Sequence, residues 1–379
     1  MATQMQRLTE LGQSIWLDNI RRSMFASGEL KALIDQGLRG MTSNPTIFEK
    51  AIGQGDDYDP QLRSLIGKVS APGDLFEALA VQDIRSACDA FRGLYDSTRG
   101  ADGYVSLEVS PTLARDTQAT IDAAARLWKD VDRPNVMIKI PGTPEGGPAI
   151  RASIAAGINV NVTLLFSVDA YEAAAQAYID GVNDRIAKGQ PVDTIASVAS
   201  VFVSRIDTAV DKQLDAKAKA GDASASALAG KIAVANSKII FQRFLKLFDA
   251  SAFADARSKH GAHVQRPLWA STGTKNPAFS DLLYVEELVA RDTVNTVPPA
   301  TLDALLDHGK VEADTILADL DGARALLDAL SKAGISLSDV TDQLVVEGVK
   351  SFADSFEQML AAIGKKQQAL AADAVAATR

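Results

Sequence analysis

Cysteine occurs once in this chain of 379 residues, at Cys88, and histidine three times, at His260, His263 and His308. One thiol cannot form an intramolecular disulfide, and a lone cysteine fits a reducing compartment. Three scattered histidines build neither a Cys/His zinc cluster nor a Ser-His-Asp triad, and all three are expected in loops or at the surface. Long hydrophobic runs are missing too. No apolar stretch approaches the about 20 residues that cross a bilayer, and Met1-Ala2-Thr3-Gln4 is not a basic start followed by an apolar signal core. A soluble cytoplasmic protein with no membrane partner is expected. Positive charge is in deficit, with 39 basic against 48 acidic residues and a net charge of −9. That sign argues against nucleic acid as a partner and requires any anionic ligand to be held by a few placed cations. Catalysis, if present, must run on Lys, Asp, Glu and hydroxyls.

What the chain has in supply is apolar residues, close to half of the total, in two alternating patterns. Short runs read as strands at 14–18, 40–44, 104–110, 136–141, 158–166, 195–203, 267–272 and 293–297. Longer stretches with helical spacing lie between them, among them 74–95, 113–129 and 168–187. Strands alternating with helices make parallel βαβ units, and eight of them at this length predict a closed (β/α)8 barrel. A doubly wound dinucleotide fold would need a Gly-rich loop after its first strand, where this chain has Asn19-Ile20-Arg21-Arg22. A short helix is predicted over 6–12, ahead of the first strand, and a solvated helix–turn–helix link over 216–230. Beyond Thr301 the pattern is wholly helical to about Ile363, more than one closing helix requires. The expected organisation is a single barrel domain over 1–364 with extra C-terminal helices, then a frayed tail over 365–379.

Alternate strand residues face opposite sides of a sheet. The polar set on one face of each strand is therefore informative: Trp16 with Asp18, Thr42 with Asn44, Ser106 with Glu108 and Ser110, Lys139 alone among Val136, Ile138 and Ile140, and Asn159 with Asn161 and Thr163. In a barrel these faces point inward, and Asp18, Asn44, Glu108, Lys139, Asn161 and Thr163 fall late in their strands, toward the C-terminal mouth where such barrels keep their active sites. A single buried Ser or Asn is as readily a polar layer of the barrel filling. A lysine inside an apolar strand is costly unless paired or neutralised, and desolvation favours the nucleophilic free amine. The pattern points to a Schiff-base enzyme built on Lys139.

Pro141-Gly142-Thr143-Pro144-Glu145-Gly146-Gly147 has two readings, a phosphate cradle or a strand-to-helix turn. The second is preferred, with Thr143 as N-cap and Pro144 at the first helical position. For phosphate the better candidates are Arg205, after the sixth strand, and Lys275, after the seventh. Both lie on mouth loops of neighbouring strands and converge readily on one anion.

These segments resemble the transaldolase family. Gly40-Met41-Thr42-Ser43-Asn44-Pro45 is similar to its T-[ST]-N-P signature, Val136 to Thr143 to the segment around its Schiff-base lysine, and Asn159 to Ser167 to a third block. The resemblance spans the barrel from Ile15 to about Leu302 and implies a cofactor-free enzyme on a (β/α)8 fold. It assigns the ketose-binding nucleophile to Lys139, a proton-shuttling water to Glu108 and Thr163, and the C4 hydroxyl proton to Asp18. It further implies that Asn44 and Asn161 hold the hydroxyls of the dihydroxyacetone unit, that Ser200 and Phe202 line the site, and that Arg205 binds phosphate. The implied partners are small sugar phosphates, and the implied state a monomer or homodimer. The chain departs from the pattern at the second phosphate cation, an arginine in familiar transaldolases and Lys275 here, a point charge without the bidentate fork.

Two rivals share the fold. An aldolase of the fructose 6-phosphate type would release dihydroxyacetone, and such members are shorter and use a tyrosine near the lysine. A non-catalytic sugar-phosphate-binding barrel would leave Lys139 an ordinary buried cation paired with Glu108 or Asp18. A metal-dependent aldolase is disfavoured by the scattered histidines.

Overall fold

Eight short parallel strands close on themselves in sequence order: β1 (Gln13–Asp18), β2 (Gly40–Thr42), β3 (Tyr104–Glu108), β4 (Val136–Pro141), β5 (Val160–Leu165), β6 (Ser197–Phe202), β7 (Arg266–Ala270) and β8 (Thr293–Val297). The computed structural model describes residues 2–53, 55–69, 71–222 and 225–377. Closure comes from β8 pairing with β1, Gln13 opposite Thr293 and Trp16 opposite Thr296. This is the (β/α)8 barrel expected from the alternation of strand and helix patterns, and every expected strand is present within two residues of its expected ends.

The differences at strand ends have local causes. The second strand stops at Thr42, not Asn44, because Asn44 Oδ1 accepts the Ile47 N–H at 3.0 Å and so caps the helix Pro45–Gly53. The fifth begins at Val160 because the Asn159 carboxamide bridges its neighbours. It donates to the Pro134 and Val136 carbonyls and accepts from Ala196 N–H. Near its far end β5 carries a register irregularity between Val162 and Leu165 against β6, with Leu164 at φ +60°. A leucine in the left-handed region is strained, so this bulge is imposed by its surroundings.

The polar faces point inward as alternation requires. Their register aligns Glu108 with Lys139 and Lys139 with Asn161 in one layer, and Asp18 with Thr42 in another. Lower in the barrel, Trp16 lies over Gly40 so closely that a Cβ there would fall 2.6 Å from the indole. Only glycine fits at that point of β2.

Helices start where the sequence supplies caps. Thr3 forms a reciprocal capping box with Gln6 on the helix Gln4–Glu10, and Ser167 caps Val168–Ala187 through Ala170 N–H. Thr143 Oγ1 accepts from Gly146 N–H at 3.0 Å and donates to the Ala114 carbonyl at 2.7 Å. That is the bond of an N-cap, although regular helix begins only at Gly146. The link over 216–230 begins as a continuation of the helix Ser204–Lys219 and ends as one 3-10 turn, Ala225–Leu228, before Ile232–Asp249; Ala223 and Ser224 lie outside the described residues. The histidines sit at the exposed ends of helices (His260, His308) or in the loop before β7 (His263).

After β8 come the helices Pro299–His308, Leu320–Lys332 and Leu337–Ala377. The last packs along the helices Pro45–Gly53 and Pro72–Ser97. It buries Val340, Leu344, Phe352, Met359 and Ile363, a stripe at helical spacing. Where the sequence suggests a frayed tail from residue 365, the helix runs on to Ala377. Lys366 Nζ pairs with Asp59 at 2.8 Å, Gln367 Nε2 donates to the Val69 carbonyl, and Leu370 is buried. Among the described residues no helix is long and apolar enough to cross a membrane.

Candidate active site

At the C-terminal mouth a cavity of about 300 Å³ is lined by Asp18, Thr42, Asn44, Lys139, Thr163, Ser200 and Phe202 from the strands and their ends. Ser271 and Lys275 join it from the loop after β7, Arg205 from the first turn of the helix Ser204–Lys219 rather than from the loop expected for it, and Phe352 from the C-terminal helix. Lys139 stands at its base, 4% exposed. Its Nζ lies 3.2 Å from Glu108 Oε2, an ion-pair contact off hydrogen-bond alignment, and donates to the Ser43 carbonyl at 3.3 Å. That carbonyl is available because Ser43 follows the end of β2, while the Ser43 hydroxyl is bonded to the Ser106 carbonyl.

Two carboxyls face this lysine. Burial pushes the Glu108 carboxyl above its ordinary range, with the Lys139 charge opposing the rise. Burial likewise raises Asp18, opposed in turn by Lys139, the Thr42 hydrogen bond, Arg205 and Lys275. Thr42 Oγ1 donates to Asp18 Oδ1 at 2.7 Å and lies 2.7 Å from Thr296 Oγ1. Thr163 Oγ1 is fully buried and has no protein hydrogen-bond partner among the described residues. Carboxyls shifted toward their protonated form beside a buried amine are placed for the proton transfers that imine chemistry requires.

Around this centre, Asn161 donates to Ser106 Oγ at 3.0 Å and accepts from Ser200 Oγ at 2.7 Å. It is fully buried and holds Ser200 at the cavity wall rather than lining the cavity itself. Asn44 lines it while capping its helix. Arg205 is half-buried, its Cζ 5.1 Å from the Phe202 ring centroid and 5.8 Å from that of Phe352. Desolvation lowers the pKa of its guanidinium, with Asp18 and Glu347 opposing. Lys275 follows a loop in which Thr272 Oγ1 donates to the Thr296 carbonyl and Ser271 Oγ meets Ser204 Oγ at 2.9 Å. Pro141 to Gly147 stays outside the cavity lining.

Nine of the ten site residues expected from sequence thus line one cavity or touch Lys139 directly; Asn161 reaches it only through Ser200. Sequence reasoning passed over Thr296, Lys50 and Phe352, which also line it. The alternation in Thr293-Val294-Asn295-Thr296 is a usable signal for Thr296. Nothing local marks Lys50 or Phe352, since each arrives on a helix.

A closed (β/α)8 barrel that buries a lysine against two carboxyls at its C-terminal mouth has the make-up of a class I aldolase site. The profile of one such family, transaldolase/fructose-6-phosphate aldolase, matches residues 15–363. The chain belongs to that family. It is 48% identical over 361 residues to the transaldolase of Thermobifida fusca (strain YX), across 95% of this chain and 97% of that protein. It is 45% identical over 371 residues to the transaldolase of Trichodesmium erythraeum (strain IMS101), across 96% and 97%. With the transaldolase of Mycobacterium ulcerans (strain Agy99) it shares 45% identity over 375 residues, across 98% and 100%.

Proposed function

We propose that this chain is a cytoplasmic transaldolase, a transferase that acts on sugar phosphates as a monomer or homodimer. Its reaction is sedoheptulose 7-phosphate plus glyceraldehyde 3-phosphate giving erythrose 4-phosphate plus fructose 6-phosphate, a step of the pentose phosphate pathway. The observation that carries the reading is the Lys139 amine 3.2 Å from Glu108 in a cavity shared with Asp18, Thr163 and three further cations, Lys50, Arg205 and Lys275.

The Lys139 amine attacks C2 of the ketose to give a carbinolamine. Glu108 supplies the proton that lets the C2 hydroxyl leave as water, which Thr163 holds, and an iminium remains. Asp18 takes the proton from the C4 hydroxyl. The C3–C4 bond then breaks, its electron pair passes into the iminium to give an enamine, and the aldose phosphate leaves. The enamine C3 next attacks the carbonyl carbon of the acceptor, Asp18 returns its proton to the new alkoxide, and water hydrolyses the iminium. Asn44, and Asn161 through Ser200, hold the hydroxyls of the three-carbon unit. Arg205 and Lys275 hold the phosphate.

Release of free dihydroxyacetone is the rival outcome within the same family. Among the described residues no tyrosine lines the cavity, and the expected releasing type uses one near its lysine. The test is incubation with fructose 6-phosphate, with and without erythrose 4-phosphate, and quantification of products. Sedoheptulose 7-phosphate in the presence of acceptor, with only a trace of dihydroxyacetone in its absence, is the expected result. Dihydroxyacetone as the main product would make the chain an aldolase, and no turnover would favour a binding barrel.

A further inference from the structure

Phe352 reaches the active-site cavity from outside the barrel. It is 4% exposed, and its ring centroid lies 5.7 Å from Lys139 Nζ and 5.8 Å from Arg205 Cζ. Arg205 also meets the Phe202 ring, so one guanidinium touches two aromatic faces, one from β6 and one from the C-terminal helix. Among the described residues no carboxylate forms an ion pair with Arg205; Asp18 and Glu347 act on it only through space. The distinction matters chemically. A carboxylate partner would accept from the N–H fork that recognises phosphate, whereas a ring carries no lone pair to occupy that fork.

The helix is built to bring Phe352 this close. One turn earlier, a Cβ at Gly348 would lie 2.9 Å from Leu164 Cδ2 and 3.5 Å from Arg205 Nη1. Leu164 is the strained residue of the β5 bulge, so the irregularity next to Thr163 is also where the helix crosses. One turn later, Ser355 Oγ accepts from Thr46 Oγ1 at 2.9 Å, and Phe356 meets Phe76 edge-on at 5.6 Å between centroids. Phe352 is therefore pinned from both sides along its helix.

We infer that Phe352 is a positioning residue that holds the Arg205 guanidinium for the substrate phosphate, which makes the C-terminal helix a structural part of the phosphate subsite. The inference rests on the reading of this site as one that takes sugar phosphates. It predicts a defect larger in phosphate recognition than in imine formation: the ring also lies over Lys139 Nζ at 5.7 Å, but Phe352 has no proton to give and no bond to make.

The experiment compares Phe352→Leu, which removes the ring face, with Phe352→Tyr, which keeps it; Phe352→Met replaces the leucine variant should that fail to fold. Binding of inorganic phosphate is measured by calorimetry, and trapping of Lys139 by unphosphorylated dihydroxyacetone with borohydride serves as the phosphate-free control. The expected result is a Kd for phosphate, and a KM for fructose 6-phosphate, raised about tenfold in the leucine variant. The tyrosine variant stays near wild type, dihydroxyacetone trapping falls far less than phosphate binding, and the leucine substitution weakens phosphate no further in an Arg205→Ala background. Unaltered phosphate binding, or an equal loss with dihydroxyacetone, would overturn the inference. A wild type that binds phosphate but never forms a Lys139 adduct would defeat the transaldolase reading and leave the calorimetric test of Phe352 intact.

Discussion

Lys139 is buried beside a carboxyl it does not hydrogen-bond squarely, with a second carboxyl, Asp18, across the same cavity. Burial pushes both carboxyls up, toward the protonated form. The two differ in their surroundings. Glu108 faces the lysine and feels the Asp18 charge, while Asp18 is hydrogen-bonded by Thr42 and feels three cations. In the proposed mechanism that difference separates their duties, dehydration of the carbinolamine for Glu108 and cleavage of the carbon–carbon bond for Asp18. Asp18→Asn should therefore retain borohydride-trappable imine with dihydroxyacetone while kcat for transfer falls about 10²–10⁴-fold. Glu108→Gln should slow the trapping itself. Single-turnover trapping read alongside steady-state turnover checks both, and loss of adduct in Asp18→Asn would contradict the division.

At the level of elements, the same alternation that made the strands legible also made the site legible. A polar residue every second position within Val105 to Ser110, or Ile158 to Leu164, has a single interior to enter once the sheet closes. Strand ends were less legible because a residue such as Asn44 serves the strand's polar face and caps the next helix at once. The junction between the helices Ser204–Lys219 and Ile232–Asp249 has the composition of a solvated link, yet a buried carboxyl anchors it. Asp207 Oδ1 accepts from Ala233 N–H and Oδ2 from the Tyr284 hydroxyl, each at 2.8 Å. Burial pushes Asp207 up to about 6 against these hydrogen bonds, with Asp211 reinforcing the rise. A carboxyl with a higher pKa folded than unfolded favours the folded state while protonated. Its stabilisation is complete below the ordinary carboxyl value of 3.8 and is lost as pH rises through about 6. Asp207→Asn keeps the shape without the titration. The stability of the variant relative to wild type should rise between pH 4 and pH 6, by up to about 3 kcal/mol, and level off above. Urea titrations at closely spaced pH check this, and a difference that does not change with pH would contradict it.

For the molecule as a whole, the barrel was predictable and the role of the C-terminal helix was not. An amphipathic stripe such as Val340, Leu344, Phe352, Met359 and Ile363 states that a helix packs, but not on what. Covering a partner, closing the barrel bottom and crossing the mouth all satisfy the same pattern. The crossing is decided by contacts far apart in sequence, Thr46 with Ser355, Phe76 with Phe356 and Asp59 with Lys366, none of which has a local signature. The consequence is an active site completed by a segment that looks from sequence like an appendage. The proposed chemistry nevertheless turns on one nitrogen. Borohydride reduction in the presence of fructose 6-phosphate, followed by intact mass and peptide mapping, tests it directly with Lys139→Met as the control. A ketose-derived adduct on Lys139 that is absent from the methionine variant is the predicted result. Folded protein that carries no adduct, or carries it on another lysine, would contradict the account.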